Sequence, residues 1–125
     1  MTTVARDRTL WVLPLSPFLW SVHFMLCYLT AAIWCAKTGD ATESLSAVRA
    51  AIVIYTVPAL AGIGVVTFVA YRWWYGHGAP TPPHDRDTPE DRRRFMGFAT
   101  ILLSGLSAVA VLYSAAVVLF FETCQ

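Results

Sequence analysis

The stretch TLWVLPLSPFLWSVHFMLCYLTAAIWCA, at positions 9–36, contains no charged residue. An α-helix needs roughly 20 predominantly apolar residues to cross the hydrocarbon core of a bilayer, and this stretch is longer than that. Two further uncharged stretches follow, at 50–71 and 95–121. No water is present in lipid to satisfy backbone amides, so each stretch must close its hydrogen bonds as a helix. A chain of 125 residues then has no room for a separate soluble domain. The expectation is an all-α integral membrane protein, a single membrane domain over 1–125. Its three transmembrane helices fall at about 10–36, 46–75 and 89–121, with a Pro-rich loop at 76–88.

The composition agrees with this reading. Charged residues make up 14% of the chain and the mean hydropathy is +0.56, where a soluble domain carries about 25% charge. The formal net charge is +1, and no basic stripe with interleaved aromatics marks a nucleic-acid surface. Positions 9–36 are too long for the apolar core of a signal peptide, and no small-residue cleavage site follows. This segment is expected to remain as the first membrane helix. Cys124 is followed only by Gln125, which is not a prenylation box.

Charge placement sets the expected topology. Arg6, Arg8, Arg72, Arg86, Arg92, Arg93 and Arg94 fall on one side, and Lys37 and Arg49 on the other. Seven against two places the N-terminus and the Pro-rich loop in the cytoplasm and the C-terminus in the periplasm. Ser16-Pro17 reads as a cap followed by an N-terminal proline. Thr38-Gly39-Asp40 reads as a terminating turn. Tyr71, Trp73, Trp74 and Tyr75 read as an interfacial aromatic belt with Arg72 beside it. Thr88-Pro89-Glu90-Asp91 reads as the capped, acidic start of the third helix.

Helical spacing gathers Ser16, Trp20, His23, Cys27, Thr30 and Trp34 on one stripe of the first helix. Ala51, Tyr55, Ala59 and Gly62 form a stripe on the second, which carries Pro58 as a kink site. Gly97, Thr100, Ser104, Ser107 and Ser114 form a stripe on the third. Small residues let membrane helices approach, and hydroxyls bond across the contact. These stripes are read as the seams of a three-helix bundle. Trp20, Cys27, Tyr28, Thr30, Gly97, Thr100, Ser104 and Ser107 are the candidate packing or partner-contact residues.

Intramembrane ionisable residues are functional candidates, and His23 is the candidate here. Its leading reading is a histidine bonded to a hydroxyl such as Ser104 or Ser107. The alternatives are one axial ligand of a haem, completed by another chain, or a member of a proton path. His77 and His84 flank the Pro-rich segment and read as solvated loop residues, because two histidines without further ligands make a weak metal signal. No cofactor is expected to be held by this chain alone. Cys27 reads as a small packing residue. Cys35 ends the first helix and Cys124 follows the third, on the side assigned to the periplasm, where disulfides persist. A Cys35–Cys124 bridge is the expectation, with two free thiols or a metal pair as the alternatives. No Ser/His/Asp set, paired membrane carboxylates, phosphate loop or zinc-protease motif is present, so the chain reads as a non-enzyme.

The opening of the first helix, Pro17, Trp20, His23, Phe24, Tyr28 and Cys35 in the pattern P-x-x-W-x-x-H-F-x₃-Y-x₆-C, is joined by the terminal Cys124. This combination resembles a group of small proteobacterial three-helix membrane proteins encoded beside haem–copper terminal oxidase genes. The resemblance implies an accessory or assembly subunit of a cytochrome c oxidase-type respiratory complex in the bacterial inner membrane. It also implies weight on Trp20, His23, Tyr28, Cys35 and Cys124. The partners expected on this reading are membrane lipids and oxidase subunits, with no nucleic acid. The alternatives are a haem-handling protein that uses His23, and a small oligomeric transporter with Cys27 and His23 as an intramembrane relay.

Overall fold

The computed structural model describes residues 10–38, 45–75 and 89–120. They form three long helices: α1 (Leu15–Thr38), α2 (Ser46–Tyr75) and α3 (Pro89–Phe120). Each is long and apolar enough to cross a membrane; with the helical residues 10–12 included, the first such span runs Leu10–Thr38. The chain is therefore a multi-pass membrane protein by length and composition. The helices run antiparallel in sequence order, so the start of α1, the end of α2 and the start of α3 share one end, which carries Arg72 and Arg92 to Arg94.

The entry to α1 differs from its sequence reading. The amide of Phe18 donates to the carbonyl of Pro14 at 3.0 Å, the first bond of the helical ladder. Pro17 lies in the first turn, where a missing N–H leaves no intrahelical bond unmade. Ser16 is thus inside the helix rather than capping it, and its hydroxyl is used elsewhere. At the far end, Thr38 is still helical and its hydroxyl bonds the Trp34 carbonyl at 2.9 Å. Gly39 and Asp40 of the expected turn, the Thr88 cap and the loop at 76–88 with His77 and His84 lie outside the described residues.

The buried positions recur at steps of three and four, except for a gap of seven between Ile52 and Ala59. On α2 they are Val48, Ile52, Ala59, Ile63, Val66 and Ala70. On α3 they are Gly97, Thr100, Ser104, Ser107, Val111 and Ala115. This is the spacing by which side chains of one helix enter the holes of another. The face of α2 read from the sequence is partly rotated: Ala59 is buried, but Ala51, Tyr55 and Gly62 are only half-buried. Small size pointed to Ala51 and Gly62 in the sequence, whereas the β-branched Val48, Ile52, Ile63 and Val66 form the contact. α2 is continuous through Pro58, which sits on the exposed face.

Helices α2 and α3 share the most extensive contact, and Gly97 explains how they approach. A Cβ added there would lie 2.9 Å from the Ala70 carbonyl oxygen and 3.3 Å from the Trp74 amide nitrogen. Backbone meets backbone at this point, and only hydrogen fits between. Trp74 then stacks obliquely on Phe98, with ring centroids 5.9 Å apart, and Tyr71, Trp74 and Tyr75 cluster beside it. At the opposite end Cys27, Leu45, Val48, Ile52 and Ala115 form an apolar cluster that joins all three helices.

Gly97 and Gly105 give a paired test. Gly97→Ala forces the α2 and α3 backbones apart and should lower stability by about 1–3 kcal/mol, the usual cost of overpacking. Gly105→Ala meets nothing within 4 Å and should leave stability unchanged or slightly raised. Thermal unfolding in detergent, followed by circular dichroism, compares the two. Equal midpoints would mean that the close crossing does not hold the bundle together.

Candidate functional site

The polar side chains of the three stripes converge inside the bundle. Ser16 and Ser104 are fully buried, and their hydroxyl oxygens lie 2.7 Å apart, which ties α1 to α3. About two helical turns further along α1, His23 is 2% exposed, and its Nε2 lies 3.0 Å from the Thr56 hydroxyl of α2. Cys27 follows four residues later, with its sulfur 3.6 Å from the same Nε2. Thr30 and the Tyr55 hydroxyl of α2 are 3.5 Å apart, at the limit of a hydrogen bond. The polar contacts of α1 therefore pass from α3 at one end to α2 toward the middle of the bundle.

The direction of the protons follows from geometry. The Thr56 hydroxyl has one proton and lies 2.6 Å from the Ile52 carbonyl of its own helix. It donates there and so meets His23 as an acceptor. Nε2 then carries hydrogen and donates to Thr56, an assignment made from the hydrogen-bond network. Nδ1 is left as a buried acceptor with no partner among the described residues, and the buried indole nitrogens of Trp20 and Trp34 also lack one.

This arrangement corrects the expected partner of His23. Ser104 is occupied by Ser16, and Ser107 donates to the Leu103 carbonyl at 2.8 Å. Thr56, which the sequence reading passed over, takes the histidine instead. Its signal was the hydroxyl itself, one of only two threonines on α2. His23 is 2% exposed and its Nε2 is engaged with Thr56, so its one unpartnered ring nitrogen among the described residues is the buried Nδ1.

The remaining predicted residues separate into two groups. Gly97, Thr100, Ser104, Ser107 and Cys27 are buried, and Trp20 and Thr30 are half-buried in the seams. Tyr28 is not in a seam: it is 61% exposed and stacks on Phe24, which in turn packs on Trp20, forming an aromatic ridge along the outside of α1. Tyr28 was not one of the stripe residues, and of its two expected roles, packing within the bundle or contact with a partner, its position leaves the second open. Tyr28 instead edges a groove of about 300 Å³ between α1 and α3, with Cys27 at its floor and Tyr113 and Ser114 opposite. A second groove, of about 580 Å³, lies between α2 and α3 nearer the Arg-rich end. Cys35 is half-buried against the apolar cluster at the end of α1, and Cys124 lies outside the described residues. Among the described residues no group of three or more metal-ligating side chains comes together.

Replacing Thr56 with valine keeps the shape and removes the acceptor, which leaves the Nε2–H of His23 buried and unpaired. The expected loss is about 1–2 kcal/mol. Adding His23→Leu to Thr56→Val should cost less than the sum of the two single changes, because the orphaned donor goes with it. Reversible unfolding of the four variants in detergent measures the coupling. Strict additivity would show that the contact contributes nothing.

No protein-family model, curated protein or solved structure matches this chain.

Proposed function

We propose that this protein is a non-catalytic accessory or assembly subunit of a bacterial respiratory terminal oxidase complex of the cytochrome c oxidase type. On this reading it lies in the inner membrane, with its N-terminus cytoplasmic and its C-terminus periplasmic. The observation that carries a contact role is the division of the bundle. His23, Thr56, Cys27, Ser16 and Ser104 are spent on one another inside. The outer surface presents large apolar and aromatic side chains, including Tyr28, Phe68 and Tyr113, and two open grooves. A chain whose reactive groups serve its own seams acts through its surface. The choice of an oxidase as partner rests on the resemblance of Pro17, Trp20, His23, Phe24, Tyr28 and Cys35 to the oxidase-linked group. The orientation rests on the arginine asymmetry.

The haem-handling and transporter readings fit less well. The first needs His23 to leave Thr56 and open a face. The second needs several copies, because the interior of one bundle is filled by side chains.

A Cys35–Cys124 disulfide belongs to the same proposal. In its support, Cys27 is a free, buried thiol, and Cys35 lies at the end of α1, half-buried against the apolar cluster. Cys124 is the third and last cysteine of the sequence. Such a link ties the tail beyond α3 to the end of α1 and closes a long loop, the case in which a cross-link restricts the unfolded chain most.

Two measurements test the proposal. A mild-detergent pull-down of the tagged protein from its native membrane should recover oxidase subunits in stoichiometric amounts. Recovery of the protein alone, stable and monodisperse, would overturn the oxidase assignment. Non-reducing peptide mass spectrometry should find Cys35 joined to Cys124, with Cys27 alkylated only after unfolding. Alkylation of Cys35 and Cys124 in the folded protein would remove the bridge.

A further inference from the structure

The groove between α2 and α3 has features that packing within the bundle does not explain. Buried Ile63 and Ser104 lie deepest in its lining, and the exposed Gly64 on α2 and Gly105 on α3 line it with Phe68 and Tyr71. Gly97 is required by the close crossing, and at Gly62 an added Cβ would come within 3.0 Å of Leu19. A Cβ at Gly64 or Gly105 would meet nothing within 4 Å. These two glycines widen an open channel and serve no contact within the chain.

The channel has a direction and an end. Its α2 wall runs over positions 60–71, roughly 17 Å at 1.5 Å per residue. That is about half of the roughly 30 Å hydrocarbon core, the depth of one leaflet. At the Arg-rich end it reaches Tyr71, and Arg72 is the next residue. On α3 the groove positions 101, 105 and 108 extend back by one heptad to Arg94, with Arg93 beside it. Arg72 and Arg93 are exposed and form no ion pair among the described residues. Half-buried Asp91 is the one acidic side chain described at this rim. Tyr71, Trp74 and Tyr75 place the rim in an aromatic cluster of the kind that sits at headgroup level.

We propose that this groove binds one acyl chain of an anionic phospholipid, whose phosphate is held at the rim by the exposed Arg72 and Arg93. The apolar channel fits the chain, and the arginines fit the charge of the headgroup. Basic clusters where membrane helices leave the bilayer attract anionic lipid at about 1 kcal/mol per Arg, close to fivefold in affinity.

The test uses the full-length protein in mild detergent, exposed to equimolar phosphatidylglycerol and phosphatidylcholine of the same chain length, with bound lipid read by native mass spectrometry. One phosphatidylglycerol per chain should be retained at least fivefold over phosphatidylcholine. Arg72→Gln together with Arg93→Gln should abolish that preference. Gly105→Leu, which fills the channel without touching any charge, should reduce phosphatidylglycerol retention while the thermal midpoint stays unchanged. Equal retention of the two lipids by the parent protein would overturn the proposal without recourse to any variant. So would retention untouched by Gly105→Leu but displaced by inorganic phosphate, the mark of a simple anion site. A protein dimer that excludes lipid would assign the groove to a second copy instead.

Discussion

The bundle depends on the approach of α3 to α2 at Gly97, where the only atom between two backbones is hydrogen. Between helices in lipid the hydrophobic effect offers little, because the surrounding tails are as apolar as leucine. Cohesion comes from close van der Waals contact and from hydrogen bonds that have no water to compete with them. The Gly97 crossing brings Thr100, Ser104 and Ser107 down the same face of α3 into the interior. It also fixes the depth at which α1 can settle onto the α2–α3 pair. The Ser16–Ser104 and His23–Thr56 bonds are then the points at which α1 is registered against each neighbour.

The three helices were legible because charge is absent in blocks and because only helices satisfy their own backbone in lipid. The α3 seam was legible too: Gly97, Thr100, Ser104 and Ser107 are small or hydroxylated at alternating steps of three and four, and no other face of that helix is. The α2 seam was not. In a helix that is apolar on every side, hydrophobicity cannot point inward, and the search for small residues selected Ala51 and Gly62 over Val48 and Ile52. The partner of His23 could not be read from one stripe, because it depends on the rotation of α2 relative to α1. That rotation is set by the contacts of both helices with α3. Tyr28, next to Cys27 but outside the stripe, lies on the outside of the bundle, as a residue one position off a seam does.

The interior and the exterior of this protein therefore answer different questions. The interior explains why the chain holds together, with its histidine engaged by Thr56 and its free cysteine packed in the seam. The exterior carries the aromatic ridge of Trp20, Phe24 and Tyr28, and the two grooves, and it is there that contact with other molecules is possible in physical terms. The residues of the Pro17–Cys35 pattern fall on both sides of that division. His23 is inside, Tyr28 is outside, and Trp20 bridges the two, packed on Phe24 and against the Ala59–Ile63–Val111 cluster.

The hydroxyls of the helices share a habit with a consequence for recognition. Thr56, Thr67, Thr100, Ser107 and Ser114 each place their oxygen 2.6–2.8 Å from the carbonyl four residues earlier. Each hydroxyl proton is thereby committed to its own helix, and what each side chain presents outward is a lone pair. Where these hydroxyls line the helix faces, the polarity is one-sided: ready to accept, with no proton to give. Any molecule that forms a specific polar contact with them must bring the hydrogen itself, as His23 does for Thr56. An N–H-bearing tryptophan or histidine of a neighbouring helix meets that requirement, and a bare carbonyl does not.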